Sequence, residues 1–211
     1  MNEAELRQQI VRFGRSLFER GLTYGSSGNL SARLGERYLM TPTNASLGAL
    51  DEHRLSLVDR EGRLLSGDAP TRESFLHLGL YHERPSAGAV VHLHCTHAVA
   101  VSCLADVDPR NVIPPITAYY VMRIGRLPLI PYYPPGDMAL AQAVRSLAAE
   151  HGAMLLANHG PLVSAGSLEA AVYAAEELEE TARLFLLLRK ENFSALDAKQ
   201  IEELRRRYPQ P

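Results

Sequence analysis

The sequence predicts an α/β sandwich. Apolar residues recur at helical spacing in four stretches, short β-rich runs lie between them, and no repeat or linker divides the chain. The length of 211 residues suits one domain over 1–211, with a tail about 192–211 that is free to move. Hydrophobic residues make up 46% and charged residues 22%, an ordinary globular balance that argues against disorder.

Leu6, Ile10, Phe13 and Leu17 define an amphipathic helix over 3–21, with Gly21 as its stop. The glycine-rich stretch GLTYGSSGNLSARLG that follows reads as too poor in apolar residues to enter a core. YLMTPTN predicts a short strand broken at Pro42, and the alternation in VDREGRLLSGD predicts a hairpin. TRESFLHLGLYHERP places Leu76 and Leu80 on one helix face and ends before Pro85. AGAVVHLHC is β-rich, with a helix-like stretch after it, and residues 110–135 read as loop with short strands.

Asp137 is the expected N-cap of a helix carrying Leu140, Val144 and Leu147, which should end at His151-Gly152. AMLLANHGPLVSAG predicts a strand, a sharp turn and a second strand. Ser167 then caps a long helix with an inner face of Leu168, Val172, Ala175, Leu178, Ala182 and Phe185. Its acidic run, Glu176, Glu177, Glu179 and Glu180, reads as a solvated face.

The formal net charge of -2 points away from nucleic-acid and anionic-membrane partners. No apolar run approaches the roughly 20 residues of a membrane span. The polar, acidic start MNEAELRQQI is unlike a secretory signal. Cys95 and Cys103 form no CxxC and no disulfide framework. Together these features predict a cytoplasmic protein.

His92 and His94 stand two apart in a β-branched context. On a strand their rings share a face, an economical way to offer zinc two imidazole nitrogens. His97 is out of phase with them, His53, His82 and His151 lie in polar or helix-terminal settings, and His77 could be a core histidine. His159 ends an apolar strand before Gly160 and Pro161, where a tight turn would fix its ring, so it is the candidate third ligand. Three histidines without a fourth protein ligand describe a catalytic metal site with an open position. There a cation acts as Lewis acid toward a developing oxyanion.

Glu73 sits at the start of the preceding helix. Either it is a general acid/base near the metal or it complements the helix dipole. Gly28-Asn29, Thr43-Asn44 and Thr71-Arg72 offer donors in turn contexts suited to a phosphate, and ordinary turn chemistry is the alternative reading of each.

SSGNLSARLG, LMTPTN, PTRESFLHLGLY, AVVHLHCTHAVAVS and LLANHGPLVSAGSLEAAVYAAEELEETA run in one order over most of residues 5–190, and together they resemble the class II aldolase/adducin family. The specific element is HLH with a later NHG, preceded by a Glu about 20 residues before the first His. The resemblance implies an α/β/α sandwich with a central, mainly antiparallel sheet, assembled as a homotetramer with active sites between subunits. It implies Zn2+ on His92, His94 and His159, with Mn2+ or Co2+ as substitutes, and Glu73 as catalytic acid/base. It assigns the substrate phosphate to Gly28, Asn29, Thr43, Asn44, Thr71 and Arg72.

Thr71-Arg72 stands where aldolases of the family carry two serines, and an added guanidinium suits a further carboxylate. The stretch NVIPPITAYYVMRIGRLPLIPYYPPGD, with that Arg and the AAEELEETARL helix, resembles family members that decarboxylate a four-carbon 3-oxo acid phosphate, which implies dihydroxyacetone phosphate as product through an enediolate. The alternatives are an aldolase cleaving a ketose 1-phosphate such as fuculose phosphate, or a related epimerase or dehydratase. A non-catalytic scaffold like the adducin head would not need the four site residues. Tyr119 or Tyr120 is expected to reach a neighbouring subunit's site, and Tyr208 to close over it.

Overall fold

The computed structural model describes residues 2–134 and 136–208. Its centre is an eight-stranded sheet. The strands are β1 (Asn29–Leu34), β2 (Arg37–Met40), β3 (Ser56–Val58), β4 (Leu64–Ser66), β5 (Ala89–His92), β6 (Leu129–Ile130), β7 (Ala153–Leu156) and β8 (Gly160–Ala165). They lie in the order β4-β3-β2-β1-β5-β8-β7-β6. Among the described residues only β6 with β7 is a parallel pair; the rest are antiparallel, as expected.

Side chains alternate across this sheet and build a core on each face. Ala89 and Val91 join one core with Ile10 and Leu17 of α1 (Glu3–Glu19), Val101 of α3 (Thr96–Ser102), Tyr120 of α4 (Ala118–Arg123) and Leu178 of α6 (Leu168–Leu188). Val90 faces the other core, with Leu76 and Leu80 of α2 (Ser74–Glu83) and Leu140 and Val144 of α5 (Met138–Ala148). The architecture is an α/β/α sandwich. A last helix, α7 (Ala198–Arg207), contacts α4, and residues 209–211 of the tail lie outside the described residues.

The caps are those the sequence predicts: Asp137 accepts from the Ala139 N–H and Ser167 from the Ala170 N–H. Five members of the predicted α6 face are buried, Leu168, Val172, Ala175, Leu178 and Ala182, while Phe185 is partly exposed.

Four expectations need correction. The stretch judged too polar for the core supplies β1, which lies between β2 and β5; Leu30 and Ala32 fill one face while Asn29 and Ser31 are buried in hydrogen bonds on the other. Residues 118–123, read as loop, form α4, begun by the Thr117 side chain accepting from Tyr120 N–H. α5 ends at Ala148, short of His151. Glu179 is no solvated residue: its Oε1 accepts from His97 N–H at 2.9 Å and its Oε2 from Ala98 N–H at 2.8 Å. It thereby caps α3, whose own N-cap residue Cys95 makes no side-chain cap bond.

Candidate active site

β5 ends at His92, opposite Asn29 of β1 on one side and Leu162 of β8 on the other. The His92 ring is fully buried, and its Nδ1 lies 2.8 Å from the Pro161 carbonyl oxygen. A carbonyl only accepts, so Nδ1 carries the hydrogen and Nε2 presents a bare lone pair. His94 lies beyond the strand, in the extended link into α3, yet its ring still meets His92 with centroids 4.9 Å apart.

His159 arrives on the turn between β7 and β8. Asn158 takes a left-handed φ of 56° there, and Gly160 passes so close that a Cβ would lie 2.3 Å from the Leu93 carbonyl oxygen. The turn therefore favours Asn at 158 and requires Gly at 160, with His159 held between them. The His92 Nε2 stands 3.1 Å from that of His94 and 3.2 Å from that of His159.

Glu73 sits at the N-cap of α2 without a side-chain cap bond, so its carboxylate does not serve the helix end. It turns to the histidines: Oε1 lies 3.2 Å from His159 Nε2, Oε2 lies 3.4 Å from His92 Nε2, and Oε2 accepts from Asn29 Nδ2 at 2.8 Å. The four residues offer ligand atoms that all lie within 4.8 Å of one another. The carboxylate is thus nearer the centre than a site of three histidines alone implies.

Burial lowers His92 and brings His94 down to about 4, so both are neutral at pH 7. Burial tends to raise Glu73, but the neighbouring His92 ring and the hydrogen bonds from His159 and Asn29 outweigh it and hold the carboxyl well below its usual range. One carboxylate beside clustered imidazole nitrogens is a net negative, donor-rich cage. The bare His92 Nε2 can accept from only one of its two neighbours, so mutual hydrogen bonds serve the cluster poorly. The donor set fits a divalent cation of the borderline, zinc-like kind.

Of the three segments read as phosphate binders, Gly28-Asn29 and Thr71-Arg72 adjoin the cage through Asn29 and Glu73, while Thr43-Asn44 follows Thr41. Leu30 N–H donates to Thr41 Oγ1 at 3.1 Å, and Thr71 N–H donates to the Thr41 carbonyl at 3.1 Å, which ties the start of β1, the end of β2 and the approach to α2 together. Gly28 has φ 77°, and a Cβ there would crowd the His92 carbonyl oxygen at 3.1 Å. Asn44 is exposed in a left-handed conformation, Thr43 is half-buried, Thr71 is buried and Arg72 is exposed next to Glu73.

The tyrosines divide. Tyr119 and Tyr208 are exposed, but Tyr120 is buried in the core with its hydroxyl donating to the Ile113 carbonyl. Of the pair Tyr119 or Tyr120 expected to reach a neighbouring subunit, Tyr120 is ruled out, because consecutive residues of a helix are turned about 100° apart and Tyr120 is the one that faces the core. Sequence reasoning missed the Pro161 carbonyl that sets the His92 tautomer, since a backbone oxygen leaves no residue signature. His77, read as a core histidine, is fully buried.

Fold and cage together define a class of metal-binding α/β/α proteins, and comparison with known proteins makes the assignment specific. Residues 8–186 match the family model "Class II Aldolase and Adducin N-terminal domain". The chain belongs to the class II aldolase and adducin family. It is 50% identical over 204 residues to the "3-oxo-tetronate 4-phosphate decarboxylase" of Escherichia coli (strain K12), covering 96% of each chain. It is 34% identical over 191 residues to the "L-fuculose phosphate aldolase" of Haemophilus influenzae, covering 89% of this chain and 85% of that one. The crystal structure of YgbL from Klebsiella pneumoniae superposes with a TM-score of 0.95 at 48% identity, covering 97% of this chain and 100% of that one.

Proposed function

We propose that the chain is a divalent-metal-dependent carbon–carbon lyase that decarboxylates a 3-oxo-tetronate 4-phosphate to dihydroxyacetone phosphate and CO2. The observation that carries the reading is the meeting of three imidazole nitrogens and one carboxylate at a single point. The greater identity to the decarboxylase than to the aldolase supports the choice between reactions.

His92, His94 and His159 hold the metal, Zn2+ by preference. When bound, the cation supplies Lewis-acid stabilisation of the negative charge that develops on the C3 ketone oxygen. The C1–C2 bond breaks, its electron pair moves toward the ketone, CO2 leaves, and one proton is returned to C2. Glu73 handles that proton. Because it is ionised in the free protein, it must be loaded from water or substrate before it can act as acid.

Gly28, Asn29, Thr43, Asn44 and Thr71 cradle the phosphate, and Arg72 selects the substrate carboxylate. A guanidinium gripping the departing carboxylate would stabilise the ground state, so its part is selection and not rate. We further propose one domain over residues 1–211 acting in the cytoplasm as a homotetramer, with Tyr119 and Tyr208 serving sites between subunits. Among the described residues no helix is long and apolar enough to cross a membrane.

The test is to offer the purified, metal-loaded protein 3-oxo-tetronate 4-phosphate and fuculose 1-phosphate in parallel. CO2 from the first, with little aldehyde from the second, is expected; the reverse would identify an aldolase. Arg72→Ser should lower kcat/KM for the acid substrate about 10-fold or more, the loss of one charge-assisted pair. An unchanged value would remove Arg72 from selection.

A further inference from the structure

Behind Glu73 and Asn29 lie three buried polar side chains, His77, Ser31 and Tyr81, that the mechanism above does not use. Asn29 Nδ2 donates to Glu73 Oε2 at 2.8 Å, and Asn29 Oδ1 lies 2.5 Å from His77 Nε2. His77 Nδ1 lies 2.6 Å from Ser31 Oγ, and Ser31 Oγ lies 2.8 Å from the Tyr81 hydroxyl. His77, Ser31, Tyr81 and Asn29 are all nine-tenths buried or more. The spacing explains how they meet: Glu73, His77 and Tyr81 stand at four-residue steps along α2, facing Asn29 and Ser31 at a two-residue step on β1.

The far end of this chain fixes every hydrogen in it. The ionised Glu73 can only accept, so Asn29 must turn its N–H toward it and its oxygen toward His77. That oxygen can only accept, so His77 Nε2 must carry the hydrogen. Nδ1 is then bare and accepts a hydrogen bond from the Ser31 hydroxyl, and Ser31 in turn accepts from Tyr81. Burial brings the His77 ring down to about 3, consistent with its neutral form. Apolar side chains would fill this gap between helix and strand without the cost of burying four polar groups. A satisfied, one-directional chain ending on the carboxylate has a more specific use.

The geometry points to His77 as a positioning residue for Glu73. In its neutral Nε2–H tautomer, backed by Ser31 and Tyr81, it prevents the Asn29 amide from flipping and so keeps an N–H aimed at the carboxylate. Without that donor, the buried Asn29 oxygen is left without a partner, and the amide is held only from the Glu73 side, so the N–H on the carboxylate is less firmly aimed. The inference rests on the reading of Glu73 as the group that handles the proton.

Nitrogen NMR of the histidine rings in the metal-free protein tests the tautomer directly. His77 is expected to be neutral with its hydrogen on Nε2; an Nδ1–H tautomer or a cation overturns the assignment, whatever substrate the enzyme takes. In turnover, His77→Gln puts an amide N–H where Nε2–H was and should keep kcat within about threefold, whereas His77→Phe should lose about 10–100-fold in kcat with KM within about twofold. If His77→Phe fails to fold, Tyr81→Phe removes only the hydroxyl at the end of the chain and should give a smaller loss, again in kcat. His77→Gln as impaired as His77→Phe, or a loss confined to KM in either Phe variant, contradicts the positioning role. Wild-type protein inert toward the 3-oxo acid phosphate would count against the proposed reaction and leave the tautomer test standing.

Discussion

α2 and α6 flank opposite faces of one sheet and use their inner faces differently. α6 presents Leu168, Val172, Ala175, Leu178 and Ala182, an unbroken apolar stripe that any well-packed set of similar volume could replace. α2 presents Leu76 and Leu80 to its core, but Glu73, His77 and Tyr81 run beside them toward β1. Apolar contact is tolerant of angle, whereas hydrogen bonds are not. α6 therefore holds the sandwich together, and α2 aims a carboxylate.

Substitutions on the two helices should separate these roles. Glu73→Gln keeps the shape and removes the charge; kcat should fall about 10²–10⁴-fold, measured by CO2 release, with thermal stability little changed. A variant that retained full kcat would show that α2 aims nothing of catalytic use. On the other side, Leu178→Ala empties a fully buried position and should cost about 2–5 kcal/mol in denaturant unfolding, with kcat of the folded fraction intact. Lost kcat without lost stability would reverse the division of labour.

The smallest effect concerns acid. His77 falls from 6.5 to about 3 on folding, so the unfolded chain binds the extra proton between those values. Stability of the metal-free protein should therefore decline as pH drops from about 6.5 toward 3. Glu73, also lowered on folding, adds to the decline below its ordinary 4.5. His77→Gln should flatten the upper part of that slope in urea titrations at stepped pH; an identical slope would mean that His77 is not buried neutral.

What the sequence made legible follows the same contrast. The α6 stripe, its Ser167 cap and the strand–turn–strand around NHG could be read because spacing and turn chemistry are local. β1 could not, since Asn29 and Ser31 look like loop residues until His77 and Glu73 arrive to satisfy them. The histidine pair was legible as a same-face pair although the strand itself stops at His92. Glu73's approach to within 3.2 Å of His159 Nε2 was not, because no local spacing fixes where the start of α2 lies. Tyr120 was misplaced for want of the helix that turns it inward.

Metal analysis of wild-type protein and of single alanine variants at His92, His94 and His159 tests the central claim most directly. One divalent ion per chain in the wild type, lost or bound at least about 10-fold more weakly in each variant with the fold retained, is the expected result. Full metal content in any folded variant, or none in the wild type after zinc is supplied, would contradict a shared centre for the three imidazoles.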